Sequence, residues 1–197
     1  MNNPRKTRLA LAMVRAIPLA LLAGHSQAQD VDLASFTNGF RIDGANTSDR
    51  SGISVSGAGD VNGDGLADLI VGAPRADPGG DDLAGSSYVV FGKIDDTPID
   101  LDNLSNNGFR IDGVSADDRL GYSVSGAGDV NGDGLADLIV GSRFADPGGD
   151  SDAGSSYVVF GKADDTPVDL DNLSNRGFRI DGVSADDRSG GSVSGGR

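Results

Sequence analysis

Cysteine, tryptophan and glutamate are all absent from this chain. Without cysteine there are no disulfides, no thiolate metal ligands, no thiol nucleophile and no lipid-modified cysteine anchor. The single histidine, His25, falls in the first 28 residues, so the remainder has no imidazole for a general base or a zinc site. No Gly-x-Ser-x-Gly nucleophile elbow is present either. The acidic complement of 30 residues is entirely aspartate, which favours turns, caps and oxygen-ligand loops where glutamate favours helices. Helix-period apolar patterning is missing after residue 30. Basic residues are also scarce. The net charge is -14, which argues against nucleic acid or an anionic membrane surface as partner.

What is abundant is glycine, 31 residues in 197, beside the aspartates. That is the composition of a turn-rich β protein. The first 28 residues differ from the rest. Arg5, Lys6 and Arg8 form a basic start, residues 16–23 a short apolar core, and Ser26-Gln27-Ala28 a small-residue cleavage site. This is the pattern of a secretory signal peptide over 1–28, with an Arg-rich transit peptide as the alternative. Arg15 interrupts the apolar run, leaving it far short of the ~20 residues a spanning helix needs, so no membrane span is expected after cleavage.

From residue 30 the chain is one repeat read about two and a half times. Phe40-Arg41-Ile42-Asp43-Gly44 returns at 109–113 and at 178–182, a period of 69 residues. The repeats are drawn at 29–107 and 108–176, with a shortened third at 177–197. Each unit holds four strand-like pieces: Ile53–Ser56, Asp68–Gly72, Ser87–Gly92 and Phe109–Ile111 in the first. Leu-Ile-Val and Tyr-Val-Val-Phe are apolar on both faces and suit strands covered on both sides. Four short strands per unit with both faces buried describe a propeller blade. Two units and a remnant do not close a ring of ~4–8 blades, so the expectation is a fragment, an open stack or self-association.

Between the first and second strands lies Asp60-Val61-Asn62-Gly63-Asp64-Gly65-Leu66-Ala67-Asp68, repeated letter for letter at 129–137. Side-chain oxygens stand at loop positions 1, 3, 5 and 9, with Gly at position 6. Alternate residues of a tight loop turn their oxygens inward, and glycine takes the bend, which is the spacing a hard cation requires. The expected Ca²⁺ ligands are Asp60, Asn62, Asp64, the Leu66 carbonyl and Asp68. Asp129, Asn131, Asp133, the Leu135 carbonyl and Asp137 repeat them, giving one Ca²⁺ per complete repeat and two in the chain. Position 12 is Val71 or Val140, not an acid, and a strand follows, which argues against a helical EF-hand. A metal-free hairpin turn is the alternative reading of Asn-Gly-Asp-Gly. The other acids, Asp77, Asp81, Asp82, Asp95 and Asp96, read as solvated turn residues.

The stretch Gly57–Gly65, then Asp68–Pro74, resembles the FG-GAP repeat of integrin α-subunit propellers and of many secreted bacterial proteins. Tyr88–Gly92 extends the likeness. Two departures stand out. The family's Phe-Gly opening is Ser51-Gly52, Leu120-Gly121 and Ser189-Gly190 here, and its closing Gly-Ala-Pro is Gly141-Ser142-Arg143 in the second unit. The resemblance implies an all-β fold of FG-GAP beta-propeller blades, four-stranded and antiparallel, as an incomplete ring stabilised by Ca²⁺. It implies adhesion or binding to other proteins or cell-surface ligands, in a secreted or cell-surface protein, the periplasm included. No catalytic residues are expected. A piece of a secreted hydrolase whose catalytic domain lies elsewhere is the alternative.

Overall fold

Short runs rich in Val, Ile and Tyr, each bounded by Gly, Pro or Asp, leave the backbone little choice but extended strands joined by tight turns. The computed structural model describes residues 39–196 and is all-β there, with only single 3₁₀ turns between strands. The expected signal peptide, and residues 29–38 of the first repeat, lie outside the described residues.

In chain order, β1 is Ile42–Asp43, β2 Ser54–Gly59, β3 Asp68–Ala73, β4 Ser86–Val90, β5 Ile99–Asp100 and β6 Gly108–Asp112. The second unit continues with β7 Ser123–Gly128, β8 Asp137–Ser142, β9 Ser155–Val159, β10 Val168–Asp169 and β11 Gly177–Asp181. Strands β2, β3, β4 and β6 form one antiparallel blade, and β7, β8, β9 and β11 the other. Each is the four-stranded sheet the sequence predicts. The sheets and the sequence repeat are phased differently, because β6 and β11 come from beyond residues 107 and 176 and close the blade before them. Among the described residues the blades close no ring.

A feature absent from the sequence reading is a fifth, parallel strand. Two-residue β10, from the second unit, pairs with β6 of the first blade through Val168↔Ile111 and Asp169↔Asp112. β5 pairs with β1 in the same way. The second unit therefore lends the first blade a rim strand. Leu170 and Leu173, just past β10, are buried with Phe109 and Ile111 and hold that rim down.

Side chains alternate across each strand, so every blade has two apolar faces. Ile70, Val89, Phe109 and Ile111 of the first blade pack against Val124, Leu138, Val140 and Tyr157 of the second, forming the main core. A smaller core holds Val71, Tyr88 and Val90 on the first blade's other face, under Phe40, Ile42, Ile99 and Leu101. The blades approach so closely that a Cβ on Gly72 would stand 2.1 Å from the Gly121 carbonyl. The Ser54 hydroxyl accepts the Val124 N–H across this seam at 3.0 Å. The third unit meets the second blade likewise, Val193 N–H donating to Ser123 Oγ at 3.0 Å.

Candidate metal centre

Each aspartate loop grows out of a bulge. The β2–β3 register shifts between Gly57 and Gly59, and the β7–β8 register between Gly126 and Gly128. Gly59 and Gly128 take φ of 80° and 76°, a left-handed conformation that a side chain disfavours, and so turn the chain out of the sheet into the loop.

Within the first loop Asp60 is the hub. Its carboxylate accepts backbone N–H groups from Gly63 at 2.7 Å, Asp64 at 3.1 Å and Gly65 at 2.9 Å. Asn62 Oδ1 accepts from the Asp64 N–H at 2.9 Å, and its amide donates to Asp64 Oδ2 at 2.9 Å. Asp64 Oδ1 accepts from the Leu66 N–H at 2.8 Å. The second loop repeats this network through Asp129, Asn131 and Asp133 within about a tenth of an ångström. Turn-forming Asx side chains are thus folding the loop around its own oxygens.

Asp68 and Asp137 play another part. Both are fully buried. Asp68 Oδ2 accepts from Val61 N–H at 2.8 Å and Oδ1 from Gly92 N–H at 2.7 Å, which ties the loop to the end of β4. Asp137 makes the matching bonds to Val130 at 2.7 Å and Gly161 at 2.8 Å. Gly92 and Gly161 escaped the sequence reading as parts of this site. A Cβ on Gly92 would lie 2.5 Å from the Ala67 carbonyl, so only glycine brings its N–H this close. Burial pushes the Asp68 carboxyl above its usual range. The Gly92 and Val61 N–H groups oppose that, and the negative charges of Asp64 and Asp60 add to it.

All ten predicted ligand residues thus fall in two superposable loops. The Leu66 and Leu135 carbonyls accept no hydrogen bond from the described residues. The carboxylates here point at backbone N–H groups, and among the described residues no three acidic side chains converge at metal-binding spacing. The donor set is nonetheless all oxygen, three carboxylates beside one amide and one backbone carbonyl in each loop, the chemistry that suits Ca²⁺ and not zinc. The two loops differ in setting. Val61 is fully buried, and the Asp60 carbonyl accepts from the Ala136 N–H at 2.9 Å, so the first loop is wedged against the second blade. Val130, at the equivalent place, is exposed. The acids read as turn residues also serve the backbone: Asp77 Oδ1 accepts from Leu83 N–H, and Asp146 Oδ1 from Asp152 N–H, both at 2.7 Å.

With strand, bulge, loop and returning strand in place, the family profile described as "FG-GAP repeat" matches residues 51–90 and 120–159. The chain carries FG-GAP repeats. It is 34% identical to integrin alpha-PS2 of Drosophila melanogaster over 64% of its own length and 9% of that protein. Integrin alpha pat-2 of Caenorhabditis elegans is 39% identical over 47% of the chain and 7% of the relative. Phosphatidylinositol-glycan-specific phospholipase D of Mus musculus is 38% identical over 54% of the chain and 12% of that protein. The chain therefore spans about a tenth of the length of these relatives, and the likeness is one of FG-GAP repeats.

Proposed function

We propose that each complete FG-GAP unit binds one Ca²⁺ in its aspartate loop, and that the array is an exported, non-catalytic module for contact with other proteins. Asp60, Asn62, Asp64, the Leu66 carbonyl and Asp68 would hold the ion in the first loop. Asp129, Asn131, Asp133, the Leu135 carbonyl and Asp137 would do so in the second. The observation that carries the reading is the fully buried Asp68 at the base of an all-oxygen loop, where burial chiefly, and repulsion from Asp64 and Asp60 in addition, disfavours its ionised form. A divalent cation removes that repulsion and links the bulge to the start of β3. Ion bound only to the folded chain raises stability by mass action. Export and protein contact rest on the signal-like residues 1–28 and on the integrin relatives.

A Ca²⁺-titrated thermal melt of the full chain tests the metal reading. The melting temperature is expected to climb with Ca²⁺, with half-saturation on the order of 10⁻⁴–10⁻³ M, as in extracellular modules. Mg²⁺ should act more weakly, since it demands a smaller, near-octahedral cage. The paired variant Asp64→Ala, Asp133→Ala should lose the response. An unchanged melt in the wild-type chain would sink the proposal.

The phospholipase D relatives favour a second reading, in which such repeats accompany a secreted hydrolase. In that case too residues 39–196 would serve as scaffold, because they contain no histidine or cysteine to act as base or nucleophile.

A further inference from the structure

The two units are near-copies, and Ser54–Gly72 is identical to Ser123–Gly141. Several of the differences between them meet at one place. Ile53 becomes Tyr122, Pro74 becomes Arg143 and Arg75 becomes Phe144. In the fold the three new side chains stack. The Arg143 guanidinium carbon lies 4.4 Å from the Tyr122 ring centroid and 4.5 Å from that of Phe144. Arg119 covers Phe144 as well, at 4.6 Å.

This is a cationic site in a chain with 30 aspartates, yet neither guanidinium takes part in an ion pair among the described residues. The Nε atoms of Arg119 and Arg143 are both buried, and neither has a hydrogen-bond partner among the described residues. Unmet buried donors are costly, and a carboxylate is the group that pairs best with a guanidinium lying over aromatic rings. The blade does not require the stack, because the first unit forms the same four strands in the same register with Ile53, Pro74 and Arg75. Nearby acids restrict what can enter. Arg188, 5.9 Å from Phe144, is accompanied by Asp152 and Asp186 at 3.9 and 3.8 Å. A polyanion would meet those carboxylates, whereas one compact anion avoids them.

We propose that the Arg119–Phe144–Arg143–Tyr122 stack is a carboxylate-binding site for a single Asp or Glu side chain of a partner protein. The test titrates the ¹⁵N-labelled full chain with an N-acetylated, C-amidated Gly-Ser-Glu-Ser-Gly peptide and with its Gln counterpart, following the arginine Nε–Hε resonances by NMR. Saturable shifts at Arg119 and Arg143 are expected with the Glu peptide only. Arg143→Gln should weaken binding roughly tenfold, the worth of one charge-assisted contact. The triple variant Tyr122→Ile, Arg143→Pro, Phe144→Arg, which restores the first unit's residues on the same backbone, should abolish it. Equal shifts with the Gln peptide, no shift with either, or undiminished binding by the triple variant would each overturn the site. So would tighter binding of a sulfated hexasaccharide, which would assign the stack to glycans. Failure here would leave the Ca²⁺ melt unaffected, so the two proposals fail separately.

Discussion

The leading face of the first blade and the leading face of the second are built from the same residues and live in different surroundings. Val55 is 64% exposed and its equivalent Val124 only 5%. Leu69 is 38% exposed and Leu138 fully buried. The trailing faces reverse the pattern: Phe109 is buried in the first blade, while Phe178 is 43% exposed in the second. Identical side chains on identical strands thus differ only in whether a neighbouring blade covers them. In such an array stability resides in the seam between units as much as in the unit itself.

Matched substitutions break or sharpen that contrast. The largest difference is expected for leucine. Leu138→Ala opens a cavity in the main core and should cost about 3 kcal/mol in urea unfolding, whereas Leu69→Ala should cost less than about 1 kcal/mol. Equal losses would mean that the first blade's leading face is covered in solution.

The glycine pair comes next. A Cβ on Gly126 would lie 2.8 Å from the Gly57 carbonyl across the seam, whereas one on Gly57 would meet nothing within 4 Å. Gly126→Ala should lose about 1–3 kcal/mol by overpacking, and Gly57→Ala should be neutral or slightly stabilising.

A smaller effect is expected from Asp118, buried at the seam, whose carboxyl is pushed up to about 6. Burial is the main cause, the Ser115 N–H opposes it, and Asp146, Asp117 and Asp171 add to it. Because this value lies above that of the unfolded chain, the folded form binds the proton more tightly. Charged Asp118 therefore lowers stability above pH ~6, and that penalty is relieved as pH falls toward the ordinary carboxylate range. In Ca²⁺-free buffer the melting temperature should rise from pH 7.5 to 5. Asp118→Asn should flatten the rise, and the same change at exposed Asp187 should not. Below pH ~4 the opposite trend sets in, because Lys93 and Lys162 hold Asp95 and Asp164 below the usual range and their protonation removes that support.

The smallest effect belongs to Ile94, which is 95% exposed and is alanine at the equivalent position 163. Ile94→Ala should stay within about 0.5 kcal/mol of wild type.

The strands were legible from sequence because their apolar runs are bounded by strong turn formers and recur at a fixed spacing. The loops were legible because oxygen-bearing residues alternate around glycine. What escaped was whatever depends on the neighbouring unit. Ile99-Asp100 and Val168-Asp169 are too short to read as strands, and only the edge of β1 or β6 makes them so. Gly92 and Gly161 look like strand terminators, and their role in holding Asp68 and Asp137 appears only in three dimensions. The Arg143 stack was visible as a departure at Gly141-Ser142-Arg143. Its meaning required knowing that residues 119, 122, 143 and 144 meet.

The parallel rim strand bears on how the array comes apart. Because β10 is carried by the second unit yet closes the edge of the first blade, neither unit can open without disturbing the other's amide protons. Hydrogen exchange at Ile111 and Asp112 should track the integrity of residues 168–173 and not that of the first unit alone. Among the described residues no strand pairs with the outer edge of β11, whereas β10 covers the corresponding edge of β6, so the amides of β11 on that side should exchange ahead of their counterparts in β6.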